Sequence, residues 1–431
     1  MVTSISNWLG PRWNTAKPTR GVVDPGLIGI LVTALLARWA VSHLATGDLL
    51  SRTWEYELIA GNLLNGNGFA GAGIFLDNTT YRALVLPVYP LICAAVYWFV
   101  GHPSLAAMQL VQAVSVLPAG WCAYALGSEL AGRRAGLLAA LGVTLHPALL
   151  LFSLRRHALW FDAVVFLIVL WATFRARLSV RLSLSIALGA LFGFGLLSRT
   201  TMAGSMLIAC AWLVWQWRAP LRVSLPHVAV ILGIGLLLPA PWMVRNAVVL
   251  HRPMGFISTT SYNLWVGNNP ATTGGAMAAD GTGMYTTAPA LTAATHGLSE
   301  LEQQDIFGDA AVAYIAENPG RTVLNFAKKL RIFLFWSEQT GAWYPGWFRN
   351  AYLAFYLLLL GCATAGAYRL IQAGNLAAVV LCVGFVLSVG LVQSIFFVEG
   401  RHRWEVESAL IILAACGVAR RGIEDRGTGE A

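Results

Sequence analysis

Charge is scarce in this chain. Asp, Glu, Lys and Arg make up 11% of its 431 residues, against about 25% in an ordinary soluble domain. That scarcity excludes a water-soluble globular protein. Cysteines are few: Cys93, Cys122, Cys210, Cys362, Cys382 and Cys416 all sit in apolar segments, unpaired by spacing and away from any histidine cluster. They read as small buried apolar residues, not as a disulfide framework or a metal set. The sequence also lacks a phosphate-cradling glycine loop and an internal repeat. The first 25 residues hold Arg12, Lys17 and Arg20 but no compact apolar core followed by a small-residue cleavage site, which predicts a retained first helix behind a cytoplasmic tail.

What is abundant is apolar. Hydrophobic residues reach 57% and the mean hydropathy is +0.64. Runs long enough to cross a hydrocarbon core of about 30 Å recur at 26–45, 105–126, 135–154, 160–175, 182–198, 203–217, 226–244, 349–368, 375–397 and 405–419. Two shorter stretches, 84–99 and 323–336, are ambiguous. The net charge of +9 would suggest nucleic acid only if the positions of the charges were ignored. Many lie in short loops between apolar runs, where basic residues mark the cytoplasmic side.

The basic clusters are Arg12/Lys17/Arg20, Arg133/Arg134, Arg175/Arg177/Arg181, Arg218/Arg222, Arg369 and Arg420/Arg421/Arg426. They share one side only if 84–99 and 323–336 do not span, so both are assigned as interfacial or re-entrant helices. The cytoplasmic side then holds 14 basic and 5 acidic residues, and the other side 15 and 15. The expectation is an all-α polytopic protein of the inner (plasma) membrane, with about ten spans and both termini cytoplasmic. Residues 1–246 form an N-terminal module with a first outer loop at 46–104. A second outer region spans 247–348, Gly/Thr/Ala-rich and potentially mobile at 271–297 and helical at 300–318, and 349–431 carry the last spans and a cytoplasmic tail.

Polar residues gather on the outer side. SRTWEYELIAGNLLNGNGF has Trp54, Leu58, Ile59, Leu63 and Leu64 at helical spacing, stopped by Gly66 and Gly68. It reads as an interfacial helix presenting Glu55 and Glu57 at the water boundary; a solvated polar face is the plainer alternative. In SLRRHALWFDAVVFL, Arg155, Arg156 and His157 stand just outside a span and Asp162 stands inside it. An acid at that depth is costly and calls for a cavity or a cation, unless it caps the helix it opens. Arg199, Arg245, Arg401 and Arg403 collect on the same side. Guanidinium groups bind phosphate bidentately, although structural ion pairs would also account for each one. Arg38 and His43 read as snorkelling or internally paired.

The order of these pieces resembles the GT-C class of membrane glycosyltransferases, in particular the family 39 or protein-mannosyltransferase-like group that includes the lipid A aminoarabinose transferases. The resemblance spans roughly 26–420. WEYELIAGNLLNGNGF followed by TYRALVLPVYP is similar to the group's first outer loop and its turn into a juxtamembrane helix, with Tyr81 and Arg82 in that turn. SLRRHALWFDAVVFL is similar to the second outer loop. LPAPWMVRN, YNLWVGNNP (with Asn268) and YIAENPGRTVLNFAKKLRIFLFW resemble the run into the large outer loop, and EGRHRWEVESALIILAACGV the terminal pattern. Two departures stand out: Arg52 occupies the position of the group's usual first-loop acid, and Ala83-Leu84 replaces a Pro-Pro.

The resemblance implies a GT-C-like bundle that transfers a sugar from a polyprenyl-phosphate donor to a glycan, lipid or protein acceptor of the cell envelope, at the periplasmic or extracellular side. Glu55 is the first choice of base and Asp162 the second. Arg155, Arg156, Arg199, Arg245, Arg401 and Arg403 are the pool for a phosphate clamp, with His157, Tyr81, Arg82 and Asn268 among the substrate contacts. No cofactor is required; a divalent metal is possible, and no metal ligands are assigned. Membrane lipids are expected partners and nucleic acid is not. The rival readings are a transporter or flippase for an anionic lipid, which would use the same arginines without covalent chemistry, and an accessory subunit in which Glu55 and Asp162 are dispensable.

Overall fold

The computed structural model describes residues 24–44, 54–72, 79–336 and 346–419. Arg12, Lys17, Arg20, Arg52, Arg420, Arg421 and Arg426 lie outside them. Helix dominates. In chain order the helices are α1 (Pro25–Leu44), α2 (Glu55–Leu64), α3 (Val88–Val100), α4 (Leu105–Val114), α5 (Val116–Ala131), α6 (Arg133–Thr144), α7 (Pro147–Phe152), α8 (Leu159–Ala176), α9 (Leu182–Ser198) and α10 (Met202–Trp217). They continue with α11 (Leu221–Leu237), α12 (Ala240–Leu250), α13 (Thr260–Gly267), α14 (Pro289–Ala293), α15 (Glu300–Glu317), α16 (Pro319–Leu334), α17 (Gly346–Gln372), α18 (Leu376–Ile395), α19 (Arg401–Trp404) and α20 (Glu407–Val418). One antiparallel ribbon pairs β1 (Gly71–Ala72) with β2 (Thr80–Tyr81).

Pro25–Leu44, Leu105–Ala131, Leu159–Ala176, Leu221–Leu250, Gly346–Gln372 and Leu376–Ile395 are long and apolar enough to cross a membrane, and α3, α9, α10 and α20 are shorter apolar helices. The centre of the bundle is α8 and α20; α20 is buried from Glu407 to Gly417, and beyond Ser408 its sequence is apolar all round.

Polar links between helix ends define two faces. Arg133, opening α6, pairs with Asp24 in front of α1 at 2.6 Å. Arg175 and Arg177, at the end of α8, hold Glu129 near the end of α5 at 3.2 and 2.5 Å. Trp217, ending α10, donates to the Ala176 carbonyl, and Ser185 and His227, early in α9 and α11, share a hydrogen bond. Arg369, late in α17, donates to the Ala419 carbonyl. The internal basic clusters of the sequence therefore stand on one face. Between it and the opposite, loop-bearing face the described chain passes as α1, α4–α5, α6–α7, α8, α9, α10, α11–α12, α17, α18 and α20, while α2, α3, α13–α16 and α19 stay at the loop face. Helix α3, of 13 residues, packs against α2 through Tyr89, Cys93 and Tyr97 in one cluster with Ala60.

Several expected elements differ in detail. The run 135–154 is broken, because Pro147 lacks the N–H an unbroken helix would need. The His146 ring caps the restart by accepting from the Leu149 N–H at 3.1 Å. The Thr144 carbonyl released by the break accepts from Arg38 at 2.9 Å, so Arg38 is internally bonded and does not snorkel. Residues 226–244 belong to a longer stretch, Leu221–Leu250. The segment 271–297 has structure of its own, with a Met277–Gly283 bridge, a helical turn at Met284–Thr287 and α14, and Met284 packs with Trp265 and Phe307. In α2, Ile59 and Ala60 face inward while Leu58 is 47% exposed, so the apolar residues do not form the single stripe their spacing suggested.

The two loop regions are fastened together. The Glu300 carboxylate accepts from the Arg82 and Ala83 N–H groups at 2.6 and 3.0 Å. The Tyr81 hydroxyl donates to Gln303 at 2.5 Å, and the Ser258 N–H donates to the Ala83 carbonyl at 2.9 Å. This docking holds the β2 turn against α15 and gives the loop face a rigid base.

Candidate active site

Glu55 opens α2, where the helix dipole favours an acid. Among the described residues its side chain makes no ion pair and no hydrogen bond to another residue. Burial raises its pKa above the ordinary glutamate value, and Arg401 opposes that rise. The next residue, Tyr56, sets its ring edge-on to Tyr89 at 5.1 Å and to His157 at 5.6 Å. Its phenol lies in the electrostatic field of Glu55, Asp162, Arg199 and Arg401 together. One side chain thus marks the point where the first loop, α8, the end of α9 and α19 meet.

Asp162 lies in the first turn of α8 and is 3% exposed. It accepts from the Ser198 hydroxyl and stands 3.6 Å from Arg199 Nη1. Arg199, just past α9, also places Nε 2.8 Å from Glu405, whose other oxygen accepts from the Thr201 hydroxyl at 3.4 Å. A single guanidinium therefore joins two buried acids from distant parts of the chain. Burying any of the three alone would be costly; together they form a fixed network. Glu405 was missing from the sequence-based site. The signal that singled out Asp162, an acid at the margin of an apolar run, applies equally to it.

Arg401 pairs with Glu399 at 2.6 Å and keeps 33% of its side-chain surface, so it is accessible, and its charge is felt at Glu55. The two neighbouring histidines are buried, and burial with the nearby arginine charges pushes both pKa values well below the ordinary range. His157 and His402 are neutral imidazoles here, not cations. His157 is held edge-on between Trp54 and Phe152, and accepts from the Leu159 N–H at 3.0 Å. Arg155 packs its guanidinium against the rings of Phe152 and Trp54, at 5.2 and 5.7 Å, and its charge reaches His157.

The remaining sequence candidates have structural partners. Arg156 pairs with the buried Glu57 at 2.6 Å, and Tyr97 donates to the same carboxylate at 2.9 Å, so Glu57 does not sit at the water boundary. Arg403 is 1% exposed; it pairs with Glu407 at 2.6 Å and donates to the Phe333 and Phe335 carbonyls. Arg245 lies against Phe69 and Trp242 and donates to the Arg82 and Phe69 carbonyls. Tyr81 is bonded to Gln303, and Asn268 donates to the Leu264 and Ile395 carbonyls. The Arg82 side chain is exposed. Among the described residues, no three His, Cys, Asp or Glu side chains are grouped to hold a metal.

This bundle, with its charged centre at the ends of α8 and α9, has the fold of the GT-C membrane glycosyltransferases. It aligns with the Archaeoglobus fulgidus oligosaccharyltransferase in a form tethered to an acceptor peptide (12% identity, 91% of this chain, 49% of that chain, TM-score 0.53) and in the apo form (13%, 91%, 50%, 0.53). The chain thus spans about half the length of those structures. ArnT from Cupriavidus metallidurans aligns at 17% identity over 91% of this chain and 78% of that one, with a TM-score of 0.37. Residues 85–244 match the model of the dolichyl-phosphate-mannose-protein mannosyltransferase family, a stretch that includes Arg155, Asp162 and Arg199 but neither Glu55 nor the α19 region. No curated protein matches the sequence.

Proposed function

We propose that this protein is an integral membrane glycosyltransferase that moves a sugar from a polyprenyl-phosphate donor to a cell-envelope glycan, lipid or protein on the outer face of the membrane. The observation that carries this reading is the Arg199 guanidinium joining buried Asp162 and Glu405, with Glu55 and Arg401 in the electrostatic field of the same neighbourhood.

Transfer needs a base for the acceptor hydroxyl and fixed positive charge for the departing phosphate. Glu55 fits the first role, being partly open, free of ion pairs among the described residues, and raised in pKa. Arg401 fits the second because it is partly exposed and faces the same point; Arg155 adds positive field from behind the aromatic rings. Asp162 and Glu405 hold Arg199 and orient the wall of the site. Arg156, Arg245 and Arg403 keep the surrounding loops in place, so the proposed clamp is smaller than the arginine pool in the sequence.

The test is transfer by purified protein in lipid, using a radiolabelled polyprenyl-phosphate sugar and cell-envelope extracts as acceptor. Label should move from lipid to acceptor, and Glu55→Gln should slow the movement by about 10²-fold or more. Label that stays on the lipid with every extract overturns the reading. Label that crosses the bilayer while still on its lipid would identify a transporter instead.

A further inference from the structure

Lys329 is 1% exposed, and among the described residues it has no acidic partner. Buried lysines are rare unless paired. This one is met by oxygens of the main chain: Nζ donates to the Phe396 carbonyl at 2.8 Å and the Gly267 carbonyl at 3.1 Å, with the Ile395 carbonyl and Asn268 Oδ1 at 3.4 Å. Gly267 ends α13, and Ile395 and Phe396 end α18. Helix ends leave carbonyls without intrahelical partners and carry partial negative charge, so one ammonium serves two helix ends. The fit is close: a side chain at Gly267 would overlap the Phe396 carbonyl, and a Cβ at Gly274 would meet Lys329 Cγ at 3.3 Å.

The connector that follows α18 is gripped again farther along. Arg403 donates to the Phe333 and Phe335 carbonyls at 2.7 and 2.9 Å, at the end of α16. Between these grips the Val398 N–H donates to the Gly274 carbonyl at 2.9 Å. Lys329 belongs to α16 as well, so one helix holds the connector at both ends. The stretch held between them carries Glu399 and Arg401, paired at 2.6 Å.

We propose that Lys329 is a positioning residue: by pinning the start of the 396–403 connector to α16, it sets where the Arg401 guanidinium stands for the donor phosphate. This rests on the transferase reading above. A neutral side chain of similar length would fill the space but leave the carbonyls of Gly267 and Phe396 without their donor. The connector would then lose its ammonium grip and rest on Arg403 and the single Val398–Gly274 bond.

The experiment uses full-length protein in lipid nanodiscs and compares wild type, Lys329→Met, Lys329→Arg, Arg401→Gln and the Lys329→Met/Arg401→Gln double variant. Three quantities are read: amide exchange across 396–402, affinity for polyprenyl phosphate alone, and kcat and KM for each substrate. Lys329→Met should speed exchange within 396–402 and weaken polyprenyl phosphate binding. It should lower kcat/KM for the donor by about 100-fold, the scale expected of a displacement near 1 Å, with the acceptor KM unchanged. Lys329→Arg should recover part of each loss. Adding Arg401→Gln to Lys329→Met should cost little more, because both act through one contact.

A Lys329→Met protein that loses thermal stability but binds polyprenyl phosphate like wild type overturns the proposal, as does full additivity with Arg401→Gln. If Lys329→Met fails to fold, Lys329→Gln is judged by the same criteria. Wild-type protein that neither binds polyprenyl phosphate nor transfers sugar removes the transferase reading and the proposal with it. Wild-type binding and transfer with an unaffected Lys329 variant removes the proposal alone.

Discussion

At the residue scale, the recurring device is a buried cation on a helix end. Arg38 takes the Thr144 carbonyl where α6 stops, Arg403 takes those of Phe333 and Phe335, and Lys329 takes those of Gly267 and Phe396. Buried in the protein, such carbonyls are out of reach of water, so each interrupted helix needs an internal donor. Glu55 is the opposite case, a half-buried acid that makes no ion pair or hydrogen bond to another residue among the described residues. Its raised pKa gives a sign for pH dependence: a base works only when deprotonated, so transfer should fall as pH drops through a value above the usual glutamate range. The acidic limb of kcat/KM for wild type should therefore lie higher than that of an exposed glutamate. Glu55→Gln should cost about 10²- to 10⁴-fold. A limb unchanged in a residually active Glu55→Gln protein would assign it to another group.

At the element scale, small residues decide which helices touch. A Cβ on Gly366 of α17 would overlap the Leu413 carbonyl of α20, and one on Gly417 would overlap the Cys362 carbonyl. Glycines that let membrane helices approach this closely contribute through packing, since lipid offers no hydrophobic drive between them. Gly366→Ala should therefore destabilise by about 1–3 kcal/mol, the usual cost of overpacking, read as a lowered thermal midpoint in detergent. Because α20 directly follows the Glu405 turn, the same variant should also reduce transfer near its midpoint. A midpoint equal to wild type would mean that the two helices have room to separate.

At the scale of the whole molecule, the basic clusters of the short connections stand on one face and the charged site lies at the other. By the positive-inside rule, the orientation we propose puts the site away from the cytoplasm. Asp305→Cys on the loop face should react with a membrane-impermeant maleimide in intact cells, whereas Arg369→Cys should react only after permeabilisation. Five native cysteines are buried and Cys362 is partly so, which keeps the background low. Labelling with the opposite sidedness would reverse the orientation and move the acceptor to the cytoplasm.

Much of this was legible before any coordinates. Apolar run length predicted a polytopic helical bundle, and charge bias assigned 84–99 to the interface. Asp162 and Glu55 drew notice because acids at apolar margins are expensive. Single-chain patterns could not sort the arginines, because a guanidinium facing a phosphate and one facing a helix-end carbonyl have the same local sequence. That choice depends on which distant element packs opposite: Glu57 for Arg156, the end of α16 for Arg403, Phe69 and the Arg82 carbonyl for Arg245. Sequence alone therefore determined the solvent, the helices and the polar side of this protein, since hydrophobicity and helix length are local properties. Only tertiary packing decided which charges are spent holding the chain together and which face the site, since pairing joins residues far apart in the sequence, as Arg245 with Arg82 and Arg156 with Glu57.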